Sequence, residues 1–161
     1  MTEEFTISVF TENHIGVLNR ITIIFTRRHL NIESMTTSAS ALEGIHKFTI
    51  VINSTEEVVK KVVKQVEKHV EVLRAFYYRN DDIIHQEIAL YKVPTEALTS
   101  SDKIESIVRR HNAKILEVTA NFTVIEKSGH KQETQDLFEE LNQFNVLQFN
   151  RSRFGNPPSK K

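Results

Sequence analysis

The chain has 161 residues, of which 39% are hydrophobic and 26% charged, a composition typical of a soluble globular protein. Basic and acidic residues number 21 each, and this zero formal charge argues against the basic surface of a nucleic-acid-binding protein. The lack of cysteine excludes disulfides, thiolate metal sites and a cysteine nucleophile, and no apolar run reaches the roughly 20 residues of a membrane-spanning helix.

The first half of the chain shows the residue pattern of six elements in the order βαββαβ. The acidic N-terminus enters an alternating strand pattern at once, with Phe5, Ile7 and Val9 on one face, so we expect no signal peptide and a cytoplasmic protein. From Val17 onward the apolar residues recur at helical spacing. The expected elements are a strand over 5–10, a helix from Val17, strands over 31–40 and 45–53, a helix after Ser54 or Thr55, and a strand over 70–78.

A polar break at Asn80-Asp81-Asp82 separates this unit from a second half in which the same order recurs. The second half is expected to contain strands over 84–93, 114–118, 122–125 and 146–153, with helices around Ile107 and Leu137. We therefore predict an α+β protein made of two ferredoxin-like βαββαβ sandwiches. The predicted bounds are residues 4–79 for the first domain, 83–154 for the second, and a disordered tail over 155–161.

The residues that catalysis and metal binding usually need form no recognisable constellation in this sequence. No two of the seven histidines stand at i,i+4 spacing, and the four glycines form neither a phosphate loop nor a nucleophile elbow. Tyr77 and Tyr78 are adjacent and point to opposite faces of their strand, which argues against the aromatic platform of an RNA-binding sheet. We therefore predict no metal, no cofactor and no catalytic residue in this chain, and no binding to nucleic acid or membrane.

The turn over residues 11–16 has the features of a ligand site. Its final Gly16 lets a ligand approach the backbone, and the helix that follows offers unpaired N–H groups and positive potential to an anion. The side-chain amide of Asn13 supplies a donor and an acceptor, which suits the two charged ends of an amino acid. The same residues also suit a strand-to-helix turn for geometry alone, and the residue pattern by itself leaves both interpretations open.

The residues around this turn resemble those of a known family. The matching strings are Glu12-Asn13-x-x-Gly16-Val17-Leu18-x-Arg20-Ile21, Phe25-x-Arg27-Arg28, Asn31-Ile32-Glu33-Ser34 and Val70-x-Val72-Leu73-Arg74. They are similar to the regulatory (small) subunit of acetohydroxyacid synthase, also called acetolactate synthase, and residues 5–79 resemble its ACT domain, an amino-acid-sensing βαββαβ module. The chain departs from the family's usual residues at Ile15, where Pro or Ser is common, and at His29, where Gly is usual.

The resemblance implies a non-catalytic subunit that binds a thiamine-diphosphate-dependent catalytic large subunit. It implies that this chain raises the partner's activity and confers feedback inhibition by valine or another branched-chain amino acid. Thiamine diphosphate, Mg²⁺ and FAD would belong to the partner. The resemblance also implies a homodimer through the ACT domains with the effector at their interface. The effector-binding residues carried over are Asn13, Ile15, Gly16 and Val17 from one chain and Asn31 and Ile32 from its mate, with Glu33 orienting the strand.

Two other classes of protein remain as alternatives at this point. A stand-alone ACT-type regulator could act on another enzyme or on transcription. The transcriptional version would need a DNA-binding domain, and the sequence shows no helix-turn-helix segment and no basic face. An enzyme in its own right would need a constellation that the sequence does not show.

Overall fold

The computed structural model describes residues 1–156, apart from the side chain of Asn156. The chain divides into two compact units, one formed by Met1–Ile84 with residues 154–156, and the other by His85–Arg153. Each unit has its own four-stranded sheet and its own hydrophobic core. None of the helices within residues 1–156 is both long and apolar enough to cross a membrane.

The first unit has the βαββαβ order that its sequence predicts. Its elements are β1 (Glu3–Glu12), α1 (Val17–Arg27), β2 (Ser34–Ala39), β3 (Ile45–Ser54), α2 (Glu56–Val66) and β4 (Val72–Arg79). The strands form one sheet in the order β2-β3-β1-β4, in which β1 pairs antiparallel with both β3 and β4. This topology confirms the ferredoxin-like fold for the first half of the chain.

The core of the first unit joins the sheet to the two helices. Phe5, Ile7 and Val9 alternate along β1, and each is at most 1% exposed. They share one cluster with the buried faces of both helices, which consist of Val17, Ile21, Ile24 and Phe25 in α1 and Val59, Val62, Val63 and Val66 in α2. Burial of a side chain of this size stabilises the fold by roughly 1.5–3 kcal/mol, so the core holds the start of α1 firmly against the end of β1.

The connection after α1 begins with a helix cap, which delays β2 to Ser34 instead of the predicted residue 31. The N–H of His29 donates to the carbonyl of Thr26 (3.0 Å), and that of Leu30 donates to the carbonyl of Phe25 (3.0 Å). His29 has φ +53, the left-handed conformation that this type of helix ending requires. Glycine adopts this conformation without strain, and His29 adopts it nevertheless.

An ion cluster ties the start of α2 to the end of β4. Glu56 accepts hydrogen bonds from Arg79 Nη2 (2.5 Å) and from the Tyr77 hydroxyl (3.1 Å), and Lys60 Nζ lies 3.0 Å from the same carboxylate. The Arg79 guanidinium above all, and then Lys60 and Tyr77, lower the pKa of Glu56 to about 2. The carboxylate is therefore charged in the folded protein at any pH well above 2.

We expect Glu56→Gln to reduce the acid sensitivity of the fold. Because the pKa of Glu56 falls from 4.5 to about 2 on folding, its charged form stabilises the protein above about pH 4.5, and that contribution is lost as the pH falls toward 2. Urea unfolding at pH 7 and pH 3 should show a smaller loss of stability on acidification for Glu56→Gln than for the parent. Glu43→Gln, in the exposed β2–β3 turn, is the matched control. Identical pH profiles for Glu56→Gln and the parent would contradict this role of the cluster.

The second unit repeats the strand order with one additional helix. Its elements are β5 (Ile84–Pro94), α3 (Thr95–Thr99), α4 (Lys103–Arg110), β6 (Lys114–Val118), β7 (Phe122–Gly129), α5 (Lys131–Asn142) and β8 (Gln148–Asn156). The sheet has the order β6-β7-β5-β8, which matches the order of the first sheet strand by strand. Its core is built on Ala89, Tyr91 and Val93 of β5, all 0% exposed. The fold prediction is therefore confirmed for this half as well, although the short α3 was not expected.

Several strand boundaries besides that of β2 differ from those that the sequence predicts, including the end of β7 at Gly129 instead of residue 125. β4 begins at Val72, two residues later than expected, because the N–H of Val72 donates to the carbonyl of His69 in the preceding turn (3.0 Å). β8 continues to Asn156, so residues 155 and 156 belong to a strand and not to the predicted tail. Gly155 belongs by its contacts to the first unit, and its carbonyl accepts a hydrogen bond from Lys47 Nζ of that unit (2.8 Å). The rest of the predicted tail, 157–161, lies outside the described residues.

We expect the fragment 1–84 to fold by itself and to be more stable than the fragment 1–80. Ile83 belongs to the first unit and is 6% exposed, although it lies beyond the predicted end of the first domain at residue 79. Loss of its burial should cost roughly 1.5–3 kcal/mol. Urea unfolding of both fragments, followed by circular dichroism, measures the difference. An unfolded 1–84 fragment would show that the first unit is not independent, and equal stabilities would show that Ile83 contributes nothing.

Candidate functional site

The turn between β1 and α1 leaves a group of backbone donors open. Gly16 is the N-cap residue of α1 and has φ +86, a conformation that glycine adopts without strain. Within residues 1–156 the backbone N–H groups of Ile15, Gly16, Leu18 and Asn19 have no backbone acceptor, and no side chain caps the helix. The positive end of the helix dipole lies at the same place. Donors and dipole together make this turn suited to a carboxylate or a phosphate.

Val17, whose backbone was predicted to hold the effector, has a structural role in this turn. Its N–H already donates to the carbonyl of His14 (3.3 Å), so it is not one of the open donors. Its side chain is 4% exposed and packs in the core. Val17 therefore holds the turn in place, and the N–H groups of Leu18 and Asn19 are the donors that the sequence analysis did not identify.

Asn13 and Ile15 both lie on the exposed side of the turn. The backbone N–H of Asn13 donates to the carbonyl of Gly44 (3.1 Å), which attaches the turn to the β2–β3 connection. Its side-chain amide has no hydrogen-bond partner within residues 1–156 and does not cap the helix, so it is available to a ligand. The Ile15 side chain is fully exposed, at 102%. Ile15 therefore contributes its open backbone N–H to the turn, while its side chain lies in solvent.

A hydrogen-bonded anchor fixes the start of α1 against the turn between α2 and β4. Arg20 Nη2 lies 2.6 Å from Glu71 Oε1, and the N–H of Glu12 donates to the carbonyl of Glu71 (2.9 Å). Arg20 belongs to the string on which the family resemblance rests, but its partner is 51 positions away and no local pattern identifies it. The anchor couples the position of the turn to the end of α2.

Asn31 and Ile32 lie in the connection that leads into β2. The Asn31 amide nitrogen donates to Glu33 Oε1 (3.0 Å), and the N–H of Glu33 donates to the carbonyl of Val51 (2.9 Å). Glu33 therefore orients the Asn31 side chain, whose amide oxygen is left to accept a further hydrogen bond. Ile32 is partly buried against the core of the first unit.

The two halves of the predicted site lie at opposite ends of the sheet within one chain. Ser34, at the start of β2, is opposite Val51 of β3, which is in turn opposite Thr6 near the start of β1. Gly16 instead follows the other end of β1, beyond Glu12. Six residues of strand separate these two levels, which corresponds to roughly 20 Å. A single chain therefore does not bring Asn31 to the Gly16 turn.

Several buried or half-buried polar groups of the second unit are hydrogen-bonded to one another. Thr134 Oγ1 donates to Glu87 Oε2 (3.1 Å), and the Tyr91 hydroxyl, whose pKa is raised by burial, donates to the carbonyl of Thr134 (2.5 Å). His111 Nε2 lies 3.0 Å from Glu140 Oε1, and this hydrogen bond lowers the pKa of Glu140. These contacts hold α5 against β5 and against the end of α4. Over residues 1–156 there is no group of three or more His, Asp or Glu side chains that could hold a metal ion.

Several known proteins with similar sequences are acetolactate synthase small subunits. Residues 7–74 match the family model described as the AHAS small subunit-like ACT domain, and residues 86–153 match the model described as the small subunit of acetolactate synthase. The acetolactate synthase small subunit of Bacillus subtilis is 31% identical over 147 residues, which are 91% of this chain and 85% of that protein. The small subunit of Mycobacterium leprae is 33% identical over 141 residues, 88% of this chain and 83% of the relative.

A solved structure shares the fold over its whole length. The crystal structure of the acetolactate synthase small subunit from Thermotoga maritima superposes with a TM-score of 0.89 and covers 99% of both chains. Its sequence identity is 23%, so this likeness concerns the fold. The two family models and the Bacillus subtilis and Mycobacterium leprae relatives show the kinship. On these matches the chain belongs to the acetolactate synthase small-subunit family, with the family's ACT domain in its first unit.

Proposed function

We propose that this chain is the regulatory subunit of acetolactate synthase in branched-chain amino-acid biosynthesis. It binds a thiamine-diphosphate-dependent catalytic large subunit, raises the activity of that subunit, and makes it sensitive to feedback inhibition by valine or another branched-chain amino acid. Membership in the small-subunit family supports the proposed binding to a catalytic large subunit. The open donors at the Gly16 turn are the observation that carries the effector part of the proposal. Thiamine diphosphate, Mg²⁺ and FAD are assigned to the large subunit.

The polar groups of the turn fit the two charged ends of an amino acid. The effector carboxylate lies against the N–H groups of Ile15, Gly16 and Leu18, where the helix dipole favours an anion. The side-chain oxygen of Asn13 accepts a hydrogen bond from the effector ammonium group. A zwitterion is thereby held at both ends while its side chain stays outside the turn.

The second half of the site comes from the mate in a homodimer of ACT domains. The Asn31 side chain of the mate is oriented by Glu33 with its amide oxygen free, so it accepts a second hydrogen bond from the effector ammonium group. Because Asn31 and Gly16 lie at opposite ends of one sheet, this arrangement requires two chains in opposite orientations, as a two-fold axis provides. The effector then bridges the dimer interface.

Contacts between the Gly16 turn and the rest of the first unit provide a route from effector binding to regulation of the large subunit. A ligand that binds one packing of the dimer more tightly than another shifts the equilibrium between them by that difference in affinity. Movement of the Gly16 turn is passed on to the α2–β4 turn through Arg20 and Glu71. The large subunit responds to the resulting change in the surface of the regulatory dimer.

Reconstitution with the large subunit tests the proposed role. The purified chain alone, supplied with pyruvate, thiamine diphosphate and Mg²⁺, should form no acetolactate. Added to its catalytic large subunit, it should raise the rate of acetolactate formation and introduce inhibition by valine, measured by a colorimetric assay of the product. Turnover by a preparation free of large subunit, or no effect on that subunit, would contradict the proposal.

We expect Gly16→Asp to abolish or strongly weaken valine inhibition while activation of the large subunit is retained. A fixed carboxylate a few ångströms from the effector carboxylate repels it by about 1–4 kcal/mol, and a loss of 1.4 kcal/mol is about tenfold in affinity. Activation should persist because the proposal assigns Gly16 to the effector and not to docking. The measurement is the valine concentration for half-maximal inhibition of the reconstituted enzyme. Asn13→Ala and Asn31→Ala should shift it in the same direction by less.

Gly16→Asn is the matched control for this experiment. Asp and Asn share the cost of the left-handed backbone at φ +86, and a Cβ atom at this position meets no atom within 4 Å in the chain. The two variants therefore differ mainly in charge, and Gly16→Asn should keep more of the valine response. Circular dichroism and dimer mass verify that both are folded. Wild-type inhibition in a folded Gly16→Asp protein would show that the effector binds elsewhere, and equal loss in both variants would remove the electrostatic explanation.

A further inference from the structure

The edge strand β6 of the second unit exposes apolar side chains with no strand beside it. It is the first strand in the order β6-β7-β5-β8, and all five of its residues are exposed. Ile115, Leu116 and Val118 are 39%, 56% and 54% exposed. One row of its backbone N–H and C=O groups has no neighbouring strand within residues 1–156, which makes β6 a template for strand addition. At the other edge, β8 carries the exposed polar residues Gln148, Asn150, Arg151 and Ser152.

The two charged residues of β6 lie on the same face of the sheet and have opposite signs. Lys114 is opposite Glu126 of β7, and Glu117 is opposite Val124. Both partners alternate with the core-facing Ile125, so Lys114 and Glu117 are directed to the face away from the helices. Leu116 is the extra residue of a β-bulge, which explains how residues three positions apart share a face. The strand thus carries a positive charge near its start and a negative charge near its end.

The charge pattern of β6 is complementary to that of a second, antiparallel copy of β6. When two copies of β6 are placed antiparallel with the two-fold axis between Ile115 and Leu116, Lys114 of each copy faces Glu117 of the other. Val118 then faces Ala113, and both of these lie on the helix side of the sheet. At these positions the alignment brings together residues of the same face, and it forms two opposite-charge pairs, each of a type that stabilises neighbouring strands.

We propose that β6 is a self-association edge, through which the second units of two copies of this chain pair into a continuous eight-stranded sheet. The strand order is β8-β5-β7-β6 in one copy, continued by β6-β7-β5-β8 in the other. The exposed Ile115, Leu116 and Val118 become partly buried at the junction. This contact involves residues of the second unit alone, so it stands independently of the proposed effector site.

Spin labels on the full chain test this geometry. The sequence contains no cysteine, so Asn150→Cys on the exposed outer edge of β8 gives one nitroxide label per chain. Seven strand spacings separate β8 from β8 in the eight-stranded sheet, which corresponds to about 34 Å. Double electron–electron resonance should therefore show a population of label pairs at roughly 30–40 Å. The absence of this population at concentrations where the chain is associated would overturn the proposal.

Charge exchange tests the register in the same labelled background. Lys114→Glu places two glutamates opposite each other at both ends of the junction. It should lower the affinity of the β6–β6 contact about tenfold. This loss is measured as the disappearance of the 30–40 Å population on dilution. The double variant Lys114→Glu/Glu117→Lys restores both pairs with reversed polarity and should regain the population. Lys103→Glu, at the exposed start of α4, is the matched control for net charge and should have no effect. A population that Lys114→Glu leaves unchanged, or that the double variant does not regain, would overturn the proposed pairing.

Discussion

The first unit depends on the position of β1 between two antiparallel ladders. β3 and β4 hydrogen-bond to its two edges, while Phe5, Ile7 and Val9 anchor one face in the core. A strand held in this way has a fixed direction and a fixed end. Because β1 ends at Glu12, the Gly16 turn and the open donors of α1 lie at one end of the sheet. Because β2 runs antiparallel to β3, the segment with Asn31 lies at the other end. A site that uses both segments, as the proposed effector site does, therefore needs two chains.

The second unit shows that the fold alone does not provide such a site. At the corresponding place, β5 leads directly into α3 without a glycine turn. The N–H of Thr95 donates to the carbonyl of Asn121 (3.2 Å), and its hydroxyl donates to the carbonyl of Thr119 (2.8 Å). These contacts with the β6–β7 connection close the end of the unit, while the equivalent end of the first unit keeps its donors open. The two units therefore share an architecture and differ in the loop that carries the proposed function.

Much of this fold was predictable from the sequence, since its elements are encoded by local periodicity. The alternation of Phe5, Ile7 and Val9 marks β1, and the valines spaced along α2 mark its buried face. The Gly16 turn was also predictable from residues that are neighbours in the sequence. Contacts that join distant segments were not predictable in this way. The Arg20–Glu71 anchor and the closure around Thr95 depend on where the backbone arrives in three dimensions. His29 in a left-handed conformation is a case in which the helix ending determined the backbone against the residue's own preference.

A mixed-dimer experiment tests the central claim, that each effector site is assembled from opposite ends of two chains. Gly16→Asp chains and Asn31→Ala chains, each carrying a different affinity tag, are mixed and the heterodimers isolated. In a heterodimer one site combines both altered residues, while the other combines the intact Gly16 turn with the intact Asn31. Calorimetric titration should therefore give about one tightly bound valine per heterodimer, although each parental homodimer binds weakly or not at all. Heterodimers that bind valine no better than the two homodimers would contradict a site shared between chains.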